Sequence, residues 1–158
     1  MTRLPRTRRS CPSRADTSVP DFDYEAELHI STDSEDLARL HPWLDQATEA
    51  MNMPKATLNG MHVALEEVVM NIAMHGFPAG ESGEVTIRLR VSQDAAVFVV
   101  EDAGRSFDPV VAPVSKRRAN LLETEAGGLG LTLLRHYCRD IHYERAGDLN
   151  RLTLRFPS

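Results

Sequence analysis

The sequence predicts an α+β domain, a two-layer sandwich in which a mostly antiparallel mixed sheet carries helices on one face. Three observations lead there. Residues 84–91 (EVTIRLRV) and 95–101 (AAVFVVE) read as strands joined by a short polar turn at 92–94, the pattern of a hairpin. Residues 31–51 and 55–75 space their apolar side chains as helices do. The chain then closes on a second pair of short strands, 141–145 and 151–156. Hairpins with helices grouped between them bury one sheet face under a helical layer.

In chain order, residues 1–22 are rich in Arg, Ser and Pro and have no apolar period, so a disordered tail is expected there, with one domain over 23–158. A chain of 158 residues buries roughly 68–70% of its unfolded surface and needs no disulfide or zinc staple. Residues 24–30 (YEAELHI) read as an edge strand. Ser31, Thr32 and Asp33 are helix-capping types, and Glu35 supplies a capping-box partner for Thr32. The helix they open runs to about Met51, with Pro42 placed to kink or divide it. The next helix runs from about Lys55 to His75 and stops at Gly76, with Pro78 beyond. Leu65, Val68, Val69 and Ile72 form its core stripe. Val63, Met70 and Met74 add a second apolar side, so this helix is expected to be buried nearly all round. Residues 103–126 form one long connection with a short basic helical piece at 116–122, and a connection of that length is expected to be a lid. A helix from Gly128 to about Asp140 and a hairpin turning at 147–150 complete the chain.

Composition narrows the function. Residues 1–20 hold five arginines against Asp16 alone, a balance of +4, while residues 21–158 carry 13 positive and 22 negative charges, or −9. A body this acidic is a poor surface for a phosphate backbone, so no direct nucleic-acid binding is expected. No stretch is long and apolar enough to span a membrane. The tail lacks the apolar core of a signal peptide, and Cys11 and Cys138 form no disulfide framework, which together point to a cytoplasmic address.

Three segments hold the candidate chemistry. Glu67 and Asn71 lie four apart on one helix face with His75 alongside, and polar groups in such a helix are costly unless something polar meets them. Their alternatives are a satisfied hydrogen-bond pair or a polar site. Glu66, about 100° round the helix, is expected to be solvated. Asp102 ends an apolar strand and is followed by Gly104 and then Phe107. By itself that arrangement is either a turn Asp with a turn Gly or a fixed acceptor beside a backbone that a flat ligand can approach. Gly127-Gly128-Leu129-Gly130-Leu131 opens a helix and exposes backbone N–H groups suited to an anion. It is neither a Walker loop, which needs Gly-Lys-Ser/Thr, nor a Rossmann fingerprint, which follows a strand.

Together these segments resemble the N, G1 and G2 boxes of the GHKL ATPase superfamily, which includes DNA gyrase, heat-shock protein 90 and the histidine kinases. They are most similar to its anti-sigma-factor serine/threonine kinase branch. The resemblance covers about residues 23–156 and extends to the final Asn150-Arg151-Leu152-Thr153-Leu154. It implies a Bergerat-type fold that binds ATP and Mg²⁺. Asn71 would hold the metal, and Glu67 would act as general base or orient the attacking group. Asp102 would accept from the adenine amino group, Gly104 would make room for the purine, and Thr153 would support the Asp102 contact. Gly127, Gly128 and Gly130 would hold the phosphates and hinge the lid. His75, Phe107 and Leu131 fall in the same boxes and are placed at the nucleotide with them. Lys116, Arg117 and Arg118 lie in the lid, either to reach phosphate or as a solvated basic patch. The resemblance also implies a homodimer, with a sigma factor and a small anti-anti-sigma protein of STAS type as partners. A non-catalytic nucleotide-binding module that sequesters a partner is the alternative.

Overall fold

The computed structural model describes residues 22–108 and 128–157. Strand β1 (Tyr24–Ser31) leads into α1 (Ser34–Leu37), α2 (Leu40–Thr48) and α3 (Lys55–Asn71), whose end continues as a π-helical turn, Ile72–Gly76. Strands β2 (Glu84–Val91) and β3 (Ala95–Asp102) follow, then α4 (Gly128–Tyr137), β4 (Asp140–Ala146) and β5 (Leu149–Pro157). The five strands form one sheet in the order β1-β2-β3-β5-β4, and all four pairings are antiparallel. The expected helical layer lies on one face. The expected lid and its Lys116, Arg117 and Arg118 fall outside the described residues, as do Gly127 and nearly all of the Arg-rich tail.

Register explains why one face is apolar. Leu28, Ile87, Val100, Leu152 and Tyr143 stand opposite one another in a single row across all five strands. Against these rows pack Leu44, Met61, Leu65, Val69 and Leu134 from the helices, each almost wholly removed from water. Burying each such side chain contributes about 1.5–3 kcal/mol. The next row toward the end of the sheet reads Ile30, Val85, Asp102, Asn150, Arg145. There the apolar face gives way to polar groups.

Three details depart from the sequence reading. The first helix is divided, as Pro42 allowed, but at Ala38–Arg39 rather than at the proline. Pro42 has no N–H to give the carbonyl of Ala38, and its ring crowds that carbonyl, so α2 begins afresh with Pro42 inside its first turn. The capping box does not form. Thr32 instead exchanges two hydrogen bonds with the Gly83 backbone, at 2.8 and 3.0 Å, while the Asp36 carboxylate accepts from the Ser31 N–H at 2.8 Å. That bond, with help from Arg39, lowers the Asp36 carboxyl to about 2. Finally, α3 is not buried all round. Met70 and Met74 face outward, Met74 at 54% exposure, because only one side of the helix meets the sheet and α4.

The other sheet face is charged. Glu27, Arg88, Glu101, Arg151 and Glu144 pair in that order, one residue from each of β1, β2, β3, β5 and β4, into an alternating ionic ladder across the whole sheet. Glu101, its centre, has a side chain only 9% exposed. Burial pushes its carboxyl upward, but hydrogen bonds from Arg151 and Arg88 outweigh burial and hold it below the ordinary range. Val97, on the same face, is buried, with Arg90 and Arg155 opposite it on the flanking strands.

Candidate functional site

A cavity of about 210 Å³ opens between the end of α3, the end of β3 and the β4–β5 hairpin. Val68, Ile72, Leu134 and Leu152 give it apolar walls, while Asn71, His75 and Asp102 supply polar groups. Phe107, half exposed, stands at its edge. Asn71 and His75 reach the same cavity as Val68 and Ile72 because α3 presents positions three and four apart on one side. The helix then widens into the π-turn, a device often found at functional sites.

Asp102 lies at the back of the cavity, 6% exposed. Its Oδ1 accepts from the Gly104 N–H at 2.7 Å and from Asn150 Nδ2 at 3.0 Å. Both donors are neutral, and among the described residues none reaches the second carboxylate oxygen. Asn150 is the hub of the arrangement. Its amide nitrogen also donates to the carbonyls of Gly104 and Arg105, at 3.2 and 3.1 Å. Its oxygen accepts from the Tyr143 hydroxyl at 2.8 Å and from Arg145 Nη1 at 2.6 Å. Since Tyr143 gives its proton to Asn150, the Ser106 hydroxyl 2.8 Å away is the donor in their contact. Arg145 also donates to the Gly104 carbonyl at 2.9 Å. The loop after β3 is therefore pinned to two other strands before any ligand arrives.

The loop is also tied to α3. The Arg105 N–H donates to the Gly76 carbonyl at 2.7 Å. A Cβ on Gly104 would sit 2.7 Å from that carbonyl oxygen and 2.8 Å from Asp102 Oδ1. The bare Gly104 backbone thus admits the helix end and the carboxylate, where the sequence reading had assigned it to a purine, and Gly104 does not line the cavity.

The other expected residues fall as follows. Glu67 is half-buried on α3 but does not line the cavity, and Glu66 is exposed. Gly128 and Gly130 lie in the first turn of α4, which starts where the glycines predict; Leu131 follows them in the same helix. Thr153 requires a correction. It stands opposite Val99 and His142, on the face of β5 away from Asn150, Leu152 and Leu154, so it cannot support Asp102. Asn150, directly opposite Asp102, holds that place. The signal was present in the sequence: strand alternation puts Asn150 in phase with Leu152, Leu154 and Phe156, a polar residue at a core position. Cys138 is half-buried, and burial pushes its thiol up to about 12, which leaves it inert.

A family model described as the histidine kinase-like ATPase domain matches residues 30–156. The chain is 30% identical over 89 residues to the serine/threonine-protein kinase BtrW of Bordetella bronchiseptica, a match covering 56% of this chain and 63% of that protein. It is 30% identical over 82 residues to the serine-protein kinase RsbW of Bacillus licheniformis, covering 49% and 51%. To the anti-sigma F factor of Clostridium beijerinckii it is 24% identical over 98 residues, covering 62% and 61%. The chain thus spans between about half and just under two thirds of these relatives. Among solved structures, the blue-light activated histidine kinase of Erythrobacter litoralis superposes with a TM-score of 0.52 at 19% identity, over 78% of this chain and 41% of that one. At that identity the likeness is one of fold.

Proposed function

The chain belongs to the histidine kinase-like ATPase domain family, and from that premise we propose that it binds ATP with Mg²⁺ and acts as a regulatory serine/threonine protein kinase. The observation that carries this reading is Asp102. A buried carboxylate held on one oxygen by neutral donors, at the back of an apolar slot, suits a flat heterocycle bearing an amino group. Asn71, which lines the same cavity, offers an amide oxygen. The described residues contain no cluster of three or more His, Cys, Asp or Glu able to hold a metal by themselves. That fits a Mg²⁺ ion held mainly by nucleotide phosphates and water with one protein oxygen, which is how this ion usually binds nucleotides. The ion would neutralise phosphate charge during transfer. The backbone at Gly128 and Gly130, in the first turn of α4, supports a phosphate-binding role for that helix end.

The relatives named as serine kinases and as an anti-sigma factor support a partner system of the same kind. In this reading the chain binds a sigma factor, and a small anti-anti-sigma protein of STAS type gives up a hydroxyl proton and receives the γ-phosphoryl group. Glu67 is the group proposed to orient or take that proton. Its position outside the cavity lining favours a second reading, a nucleotide-binding module that sequesters its partner without transfer.

One experiment separates the two. With Mg·ATP and candidate partners, Asn71→Ala is expected to lose nucleotide binding and transfer together. Glu67→Gln should keep ATP binding while transfer falls by roughly 10²–10⁴-fold. Wild-type protein that binds ATP and a sigma factor but phosphorylates nothing would establish the module instead.

A further inference from the structure

A carboxylate can meet a ligand through one oxygen or through both, and the neighbours of Asp102 leave it only one. Each carboxylate oxygen has about two lone-pair sites. On Asp102 Oδ1 both are taken, by the Gly104 N–H at 2.7 Å and by Asn150 Nδ2 at 3.0 Å. The second oxygen meets no donor among the described residues. It is not sealed off either, since no fully buried side-chain oxygen or nitrogen of these residues lacks a partner. Of the two donors on Oδ1, the Gly104 N–H belongs to the loop that Asp102 itself begins. Asn150 comes from β5, and its contact with Oδ1 is the shortest of the three that its amide nitrogen makes. The amide is held that way round. Tyr143 and Arg145 donate to its oxygen, so turning it over would set N–H groups against two donors and its oxygen against three acceptors.

This bears on which heterocycle the cavity takes. Adenine presents one donor group, its amino group, between ring nitrogens that accept. Guanine presents two donors side by side, a ring N–H and an amino group, spaced to meet both oxygens of one carboxylate. A carboxylate with both oxygens open therefore favours guanine. One restricted to a single oxygen leaves the second guanine donor unmatched, a cost that adenine does not incur. We propose that Asn150 is a positioning residue for base choice. By filling Oδ1 it limits Asp102 to its other oxygen and turns the cavity from guanine toward adenine. Tyr143 and Arg145 fix the amide in the orientation this requires. The role rests on the reading of the cavity as a nucleotide site and adds to it the residue that selects the base.

The test is calorimetry of the full chain with the Mg²⁺ complexes of ATP, GTP and ITP, the last being GTP without its amino group. The wild type is expected to bind ATP tightest, by about tenfold or more. GTP and ITP should be level with each other, because a single open oxygen gains nothing from guanine's second donor. Asn150→Ala vacates one site on Oδ1, so GTP should then pull ahead of ITP by roughly tenfold, and the preference for ATP over GTP should shrink. A loop that is merely loosened would weaken all three alike and leave their ratios unchanged. Such unchanged ratios in a folded Asn150→Ala protein would overturn the role of Asn150. GTP already ahead of ITP in the wild type would overturn it too, and that comparison decides the matter if Asn150→Ala does not fold. In both cases the nucleotide reading survives. A wild type that binds none of the three would overturn that reading, and the role of Asn150 with it.

Discussion

Glu101 and Asp102 are neighbours on β3, yet they face opposite sides of the sheet and live under opposite rules. Glu101 sits at the centre of the ionic ladder with a guanidinium on each oxygen. Asp102 has two neutral donors crowded onto one oxygen, and none of the described residues donates to the other. Both are largely buried. The first is neutralised and saturated, so it can only hold strands together. The second lines the cavity with one oxygen to which no described residue donates. The lesson is that burial alone does not mark a site; what marks it is which atoms of a buried carboxylate still lack a partner.

The comparison can be broken first at the glycine that serves both the fold and Asp102. Gly104→Ala puts a methyl group against the Gly76 carbonyl and the Asp102 oxygen, neither of which can move freely. Overpacking of this kind should cost about 1–3 kcal/mol, read as a lower urea midpoint, and should weaken ATP binding in the same protein. A fully stable variant would show that the loop has slack the structure does not reveal.

Asp102→Ala should separate the two carboxylates. ATP affinity is expected to fall roughly tenfold to a hundredfold, about 1.5–3 kcal/mol, with little loss of stability because Asn150 keeps its two carbonyl acceptors. Unchanged affinity by calorimetry in a folded variant would remove Asp102 from the site.

Glu101→Gln should do the converse. Replacing a charge held by two arginines that are themselves partly exposed should cost about 1–2 kcal/mol, discounted for solvent screening, and leave ATP affinity unchanged. The sign with pH follows from the direction of the shift. Glu27 and Glu101 both titrate lower in the fold than their ordinary value of 4.5. Their contribution is therefore fully present above that value and is lost as pH falls through the lower folded value. Acid unfolding below about pH 4.5 should be steeper in the wild type than in Glu101→Gln. Parallel curves would mean the ladder contributes nothing.

The smallest effect is expected at Thr153. Thr153→Val should leave ATP affinity unchanged, since the side chain lies on the ladder face. A clear loss of affinity would mean that the register of β5 has been misjudged.

Most of the fold could be read from the sequence because its signals are local. Period-two strands, the Gly128 helix start and the Gly147 turn, which takes a positive φ of 62°, each depend on residues within a few positions of one another. The fold that the resemblance implied is the fold observed. The site was legible only where it is equally local, at Asn71, His75, Asp102 and Phe107, all of which meet at one cavity. Asn150, Tyr143 and Arg145 were missed because their joint purpose exists only after β3, β5 and β4 are aligned. The outward turn of Met70 and Met74 was missed for a related reason. Apolar character sets what a helix can bury, but which of two apolar sides meets the sheet is decided by the rest of the chain.

The π-turn between Ile72 and Gly76 gives this chain a spare residue. Such a turn closes over one more peptide unit than an α-turn, so α3 reaches its tie at Gly76 with more chain than a regular helix would use. Relatives one residue shorter here can therefore keep both Asn71 and the Gly76 tie by finishing as plain α-helix. A gap in an alignment at Ala73 would then mark slack taken in, with the geometry of the site unchanged.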